Sequence, residues 1–134
     1  RMQYDAFVGK VQNRARLPSR GEAVQAIQAT LETLVERISD GEASDLAAEL
    51  PPELGTFLTD VEATAAFPVD DFFLRVAAKE TADLPDAVLH TRAVMEVLLE
   101  SVTAGEMDDV RSQLPEDFAP LFEAGSEGNL DIDL

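Results

Sequence analysis

Acidic side chains at two related places in this sequence are the residues whose types and spacing could support chemistry. They are Glu42 and Asp45 at the first place, and Glu106, Asp108 and Asp109 at the second. Carboxylates that lie close together can act as a general acid and base, or can bind a divalent cation. These residues therefore define the first candidate site, which would belong to a cation-binding accessory factor or a carboxylate-based enzyme.

A structural role is the alternative for the glutamates. Ser39 and Thr103 each precede one of them by three residues, which is the spacing of a capping box. In such a box the glutamate reaches back to the backbone N–H of the Ser or Thr. The sequence favours this interpretation, in which the carboxylates stabilise helix N-termini and hold no metal.

The only histidine, His90, follows Asp83 and Asp86 by seven and four residues, so the three could share one helical face. That spacing suits a weak divalent-metal site. The chain has no cysteine and no second histidine, and Ala26 stands at the position that matches His90. We therefore expect no physiological metal at His90.

A catalytic constellation is missing from the sequence. A single histidine and no cysteine leave no nucleophile–base pair. The Gly-containing segments lack the flanking strand and lysine of a phosphate-binding loop. We expect a non-enzymatic protein with no cofactor.

The charge of the chain excludes one class of partner. The formal net charge is −17, from 27 acidic and 10 basic residues, and the only lysines are Lys10 and Lys79. Such a surface repels nucleic-acid phosphates. It also repels itself unless molar salt screens the carboxylates. Acidity with so little lysine is typical of proteins from salt-loving archaea, and we expect adaptation to high salt.

The sequence also bears on location. Its first residues lack the basic and apolar regions of a signal peptide, and no apolar stretch is long enough to span a bilayer. We expect a cytoplasmic protein that contacts no membrane.

An internal repeat organises the chain. GEASDLAAELPPEL, which begins at Gly41, aligns with GEMDDVRSQLPEDF, which begins at Gly105, at an offset of sixty-four positions. The match continues upstream, and before the long helices the offset becomes sixty-five, so that Phe7 meets Phe72 and Val11 meets Val76. A repeat of this kind predicts two similar units that bury their apolar faces against each other.

Helical periodicity runs through both units. Ser19 and Asp83 are predicted to cap the two long helices, and Asp70 to cap a shorter one. The long-helix stripes end near Gly41 and Gly105, each followed by a short helix. The predicted apolar stripes are Val24, Ile27, Leu31, Leu34, Val35 and Ile38 in the first unit, and Val88, Met95, Leu98, Leu99 and Val102 in the second.

The predicted fold is all-α: a duplicated three-helix unit forms one pseudo-two-fold helical bundle. The single domain spans residues 4–122. Its repeats cover residues 4–58 and 69–122, joined by a linker at 59–68. Residues 123–134 are rich in Gly, Ser and acid, which predicts a flexible acidic tail.

The two Gly-Glu to Leu-Pro passages, each preceded by a long helix such as ATLETLVERIS, resemble the domain-of-unknown-function 2267 family. The openings YDAFVGKVQNRA and VDDFFLRVAAKE resemble it too. The resemblance covers about residues 4–122. It implies an all-helical bacterial or archaeal protein of duplicated design, and it implies no catalytic residue.

Two features could serve an unknown protein partner. Val94 and Val97 stand where the first unit has Thr30 and Thr33, so the second long helix is apolar over a wider arc. That helix is either the more central one or the face of a homodimer.

The tail offers the second feature. It carries Leu130, Ile132 and Leu134 in alternation, and this pattern suits strand addition to a partner. The favoured function is a non-enzymatic interaction or adaptor module. The alternatives are the cation-binding factor described above and a general salt- or stress-associated protein.

Overall fold

The computed structural model describes residues 2–59, 61–62 and 64–123, and every regular element in these residues is helical. The prediction of an all-α fold is confirmed for this part of the chain. A 3-10 turn at Glu116–Phe118 precedes the last helix. Within the described ranges the eight α-helices are α1 (Tyr4–Arg14), α2 (Arg20–Val35), α3 (Asp40–Ala48), α4 (Pro52–Thr59), α5 (Val69–Glu80), α6 (Leu84–Ser101), α7 (Ala104–Ser112) and α8 (Pro120–Glu123).

The two longest helices, α2 and α6, pack against each other and organise the rest. Helix α2 also contacts α1, α4 and α5, and α6 also contacts α1, α5 and α8. Most residues of their predicted apolar stripes are buried in one core, whereas Val24 and Val88 are partly buried and Leu99 is 36 % exposed. The largest fully buried side chains are Phe7, Ile27, Leu31, Leu34, Leu46, Leu50, Leu54, Leu58, Phe72, Phe73, Met95 and Phe118.

Val94 and Val97 have no exposed area, and neither do Thr30 and Thr33 at the matching positions of α2. Both long helices are therefore surrounded by protein on this face. A central place in the core accounts for the wide apolar arc of α6 without a second chain.

Three of the predicted caps form in the structure. The hydroxyl groups of Ser19, Ser39 and Thr103 each accept a hydrogen bond from the backbone N–H three residues later. Asp83 occupies its predicted cap position, but its side chain makes no capping hydrogen bond.

The predicted cap at Asp70 is wrong, because the N-cap of α5 is Pro68, two residues earlier. Pro68 holds the extended conformation that starts the helix, and Asp70 lies in the first turn. The backbone N–H of Val69 donates to Asp117 Oδ2 at 3.0 Å, so a carboxylate distant in sequence satisfies this N-terminus.

The predicted linker is more than a spacer. Phe67 is buried, and its ring centroid lies 6.5 Å from that of Phe118. The guanidinium of Arg75 lies 3.9 Å from the Phe67 ring centroid, a cation–π contact. Residues 61–62 are not helical.

None of the helices in the described residues combines the length and apolarity that crossing a membrane requires. The candidate tail residues Leu130, Ile132 and Leu134 lie outside the described residues.

Candidate functional site

The contact between α3 and α7 brings together the glutamates that the sequence pairs. Glu42 is the third residue of α3, and Glu106 is the third residue of α7. Each helix begins at a hydroxyl cap that fixes the position of its first turn. The caps thereby set the direction from which each glutamate side chain leaves its helix.

The second hydrogen bond of each predicted capping box, from the backbone N–H of the cap residue to the glutamate, is wrong. The N–H of Ser39 donates to Gln113 Oε1 at 2.7 Å, and the N–H of Thr103 donates to Glu49 Oε1 at 2.8 Å. The cap N–H of each helix therefore donates to the residue that follows the other helix, and we call this pair of contacts the exchanged caps. Glu42 and Glu106 are released from the structural role that local spacing assigned to them.

The carboxylates of Glu42 and Glu106 lie close together where α3 packs against α7. One oxygen each from Glu42, Glu106 and Asp109 lies within 4.8 Å of the other two. Glu42 is 9 % exposed and Glu106 is 8 % exposed, whereas Asp109 is exposed and opens the group to solvent. The group thus has a buried floor and an open side.

The buried glutamates are incompletely satisfied. Gln113 Nε2 donates to Glu42 Oε1 at 3.3 Å. In both glutamates Oε2 is buried, and neither of these two oxygens has a hydrogen-bond partner among the described residues. Two such orphan acceptors are costly in a protein interior.

The electrostatics of the site favour a positive charge. The pKa of Glu106 is raised to about 8, first by burial and then by the hydrogen bond with Glu42 and the charges of Glu42, Asp45 and Glu49. At neutral pH a proton on Glu106, donated to Glu42, relieves the repulsion. A bound cation would replace that proton and neutralise both groups.

The donor set selects a class of ion. All three donors are carboxylate oxygens, which suit hard cations such as Ca²⁺, Mg²⁺ and Mn²⁺. Ca²⁺ lies about 2.3–2.6 Å from its oxygen ligands, so oxygens on opposite sides of the ion are about 5 Å apart. The observed spacing therefore admits a calcium-sized ion.

The remaining predicted metal candidates lie elsewhere. Asp108 is exposed and lies outside the group of three ligands. His90 Nδ1 is 2.7 Å from Glu80 Oε2, and no group of three metal-ligating side chains surrounds His90 in the described residues. The spacing to Asp83 and Asp86 missed Glu80 because the contact crosses the turn between α5 and α6.

Sequence reasoning also missed Glu49 and Gln113. Each lies ten residues after the cap of its own unit, so the two match at the repeat offset. That match could have identified them as a pair. Their role depends on α3 lying against α7, which no local pattern specifies.

The family model described as "Uncharacterized conserved protein (DUF2267)" matches residues 4–121. No curated protein matches the chain.

Proposed function

Because the chain belongs to the DUF2267 family, whose description assigns no activity, we propose its function from the geometry: it binds a divalent cation between α3 and α7. Glu42, Glu106 and Asp109 are the ligands. The observation that carries the proposal is the pair of glutamates, each nine-tenths buried, with an unpartnered oxygen. A cation supplies the missing partner of both.

We place Ca²⁺ first among the candidate ions. Mg²⁺ requires oxygens about 2.0–2.1 Å away in near-ideal octahedral geometry, so it would draw the three side chains closer together. Ca²⁺ accepts longer distances and bidentate carboxylates, and it can take its remaining ligands from water on the open side at Asp109. The bound ion would fix α3 against α7.

Isothermal titration of chelator-treated protein with CaCl₂ in molar KCl tests this proposal. We expect saturable binding of one ion per chain. Glu106→Gln removes the charged ligand while keeping its shape, and should abolish binding. Asp108→Asn makes the same charge change two residues away and should leave binding intact. Binding that is retained in both variants, or lost equally in both, would overturn the proposal.

We also propose that the fold is a pseudo-two-fold duplication. The exchanged caps support it: Ser39 and Thr103 match at the repeat offset, and so do Glu49 and Gln113. Each half therefore caps a helix of the other through equivalent residues. Such reciprocity is characteristic of a contact around a two-fold axis.

Adaptation to high salt, with an origin in a halophilic archaeon, is the third part of the proposal. The net charge of −17 and the two lysines support it. The adaptor role, a homodimer, a cytoplasmic location and a salt- or stress-associated role stay predictions. A pull-down from a high-salt lysate, with and without residues 123–134, tests the adaptor role.

A further inference from the structure

A cleft distinct from the cation site lies where the turn between α1 and α2 meets the turn between α5 and α6. Its volume is about 520 Å³, within the range of small-molecule sites. None of its lining residues belongs to the cation site. The polar side chains that line it include Glu22, Gln25, Glu80, Asp83, Asp86 and His90.

A pair of polar side chains, buried Glu80 and partly buried His90, lies in the wall of this cleft. Glu80 Oε2 is 2.7 Å from His90 Nδ1, and the side chains of the two residues are 5 % and 13 % exposed. The other carboxylate oxygen, Glu80 Oε1, is buried and has no hydrogen-bond partner in the part of the chain that the structure describes. In the neutral imidazole, a hydrogen on Nδ1 that faces a carboxylate leaves Nε2 as an acceptor. The pair thus contains two acceptor atoms, the unpartnered Glu80 Oε1 and, in the neutral imidazole, His90 Nε2.

The first half of the chain provides an internal comparison for this pair. At the repeat offsets, Ala15 matches Glu80 and Ala26 matches His90. Both alanines are buried, with 3 % and 0 % exposure. The helices of the first half pack without polar groups at these positions, so helix packing alone does not require Glu80 and His90.

The charge of the cleft identifies the class of ligand. Glu22, Asp83 and Asp86 add three carboxylates around the pair, against the single guanidinium of Arg16. Leu17 and Leu89 supply apolar walls. A cation with several N–H donors and a short aliphatic chain matches both the acceptors and the walls.

We infer that this cleft binds a small organic cation carrying a guanidinium or primary amine, whose N–H groups donate to Glu80 Oε1 and His90 Nε2. A guanidinium fits best because its planar set of donors can serve two acceptors at once. The aliphatic part of the ligand packs between the two leucines.

Agmatine is the probe for the test, and succinate, of similar length and opposite charge, is its control. The chain has one histidine, so a single set of ring signals in the NMR spectrum reports on the site. We expect agmatine to shift these signals saturably and succinate to leave them unchanged. Glu80→Gln should weaken agmatine binding at least tenfold, whereas Asp108→Asn and Glu106→Gln should not change it.

A double variant separates binding from folding. Glu80→Ala with His90→Ala gives the second half the alanines of the first, so it should keep its helical signal and melt no lower than the parent. Calorimetry should show that it no longer binds agmatine. A non-saturable response, or equal affinity in Glu80→Gln and the parent, would overturn the inference, as would agmatine binding by the folded double variant.

Discussion

Glu49, the residue that follows α3, accepts two hydrogen bonds from Thr103, the N-cap residue that precedes α7. The N–H of Thr103 donates to Oε1 at 2.8 Å, and its hydroxyl donates to Oε2 at 3.1 Å. The same hydroxyl oxygen accepts from the N–H of Glu106. One carboxylate thus satisfies a free helix N-terminus and orients the cap that positions a proposed ligand.

Removing either exchanged cap should destabilise the fold. We expect Glu49→Ala and Gln113→Ala each to lower the free energy of unfolding by about 1–2 kcal/mol, the usual cost of a lost N-cap. Urea denaturation in molar KCl measures it. Glu53→Ala makes the same charge change as Glu49→Ala at an exposed residue of α4 and should cost less than about 0.5 kcal/mol. Equal costs for Glu49→Ala and Glu53→Ala would contradict the exchanged caps.

Stability should depend on pH through Glu106. Its pKa is raised by burial to about 8 in the folded protein, whereas the unfolded chain titrates near the ordinary value of 4.5. The folded state therefore binds more protons between these values, and stability falls as pH rises. The contribution is fully present below pH 4.5 and is lost as pH rises through about 8.

The pH effect is measured by chemical denaturation of chelator-treated protein at several pH values. Glu106→Gln should flatten the fall between pH 5 and about 8, because the amide does not titrate. Asp108→Asn should keep it. An unchanged slope in Glu106→Gln would show that other groups cause the fall.

Truncating a core side chain should strongly lower the free energy of unfolding at matching positions of the two long helices. Leu34 and Leu98 are fully buried, so Leu34→Ala and Leu98→Ala should each cost about 2–5 kcal/mol. Leu74 is 51 % exposed on α5 and is the matched control, with an expected cost below about 1 kcal/mol. Urea denaturation compares the three. Costs below about half a kcal/mol at both buried positions would show that the stripes do not form the core.

Local patterns predicted the all-helical fold and the hydroxyl caps, but they predicted three helices in each half where the structure has four. Ser39 and Thr103 cap as their sequences indicate, because a hydroxyl and the N–H three residues later are brought together by the helix itself. The predicted hydrogen bond from the N–H of Ser39 to Glu42 does not form, because this N–H donates to Gln113, the residue that follows α7. Spacing describes one helix at a time, and it cannot show which helix lies beside it.

The candidate site was predicted in composition but not in arrangement. Glu106 and Asp109 were identified as possible ligands, and Asp108 with them, since all three are acidic and close in sequence. Only the contact of α3 with α7 distinguishes Glu106 and Asp109, which join the group of ligands, from Asp108, which does not. That contact buries Glu42 against Glu106 and leaves Asp108 in solvent.

The fold should depend on salt. The net charge of −17 opposes compaction in dilute buffer, and at about 1 M salt the Debye length falls to about 3 Å. We expect the far-ultraviolet circular dichroism of chelator-treated protein to lose helical signal on dialysis out of molar KCl and to regain it on return. Full helical signal in dilute buffer would count against adaptation to high salt.

The cation between α3 and α7 is tested most directly by anomalous diffraction from crystals grown with Mn²⁺, which takes the same hard oxygen ligands as Ca²⁺ and scatters anomalously. The account predicts a peak about 2.2 Å from carboxylate oxygens of Glu42, Glu106 and Asp109, and no such peak in crystals of Glu106→Gln. A parent crystal that holds Mn²⁺ only at other acidic residues, with Glu42 and Glu106 hydrogen-bonded to each other, would contradict it.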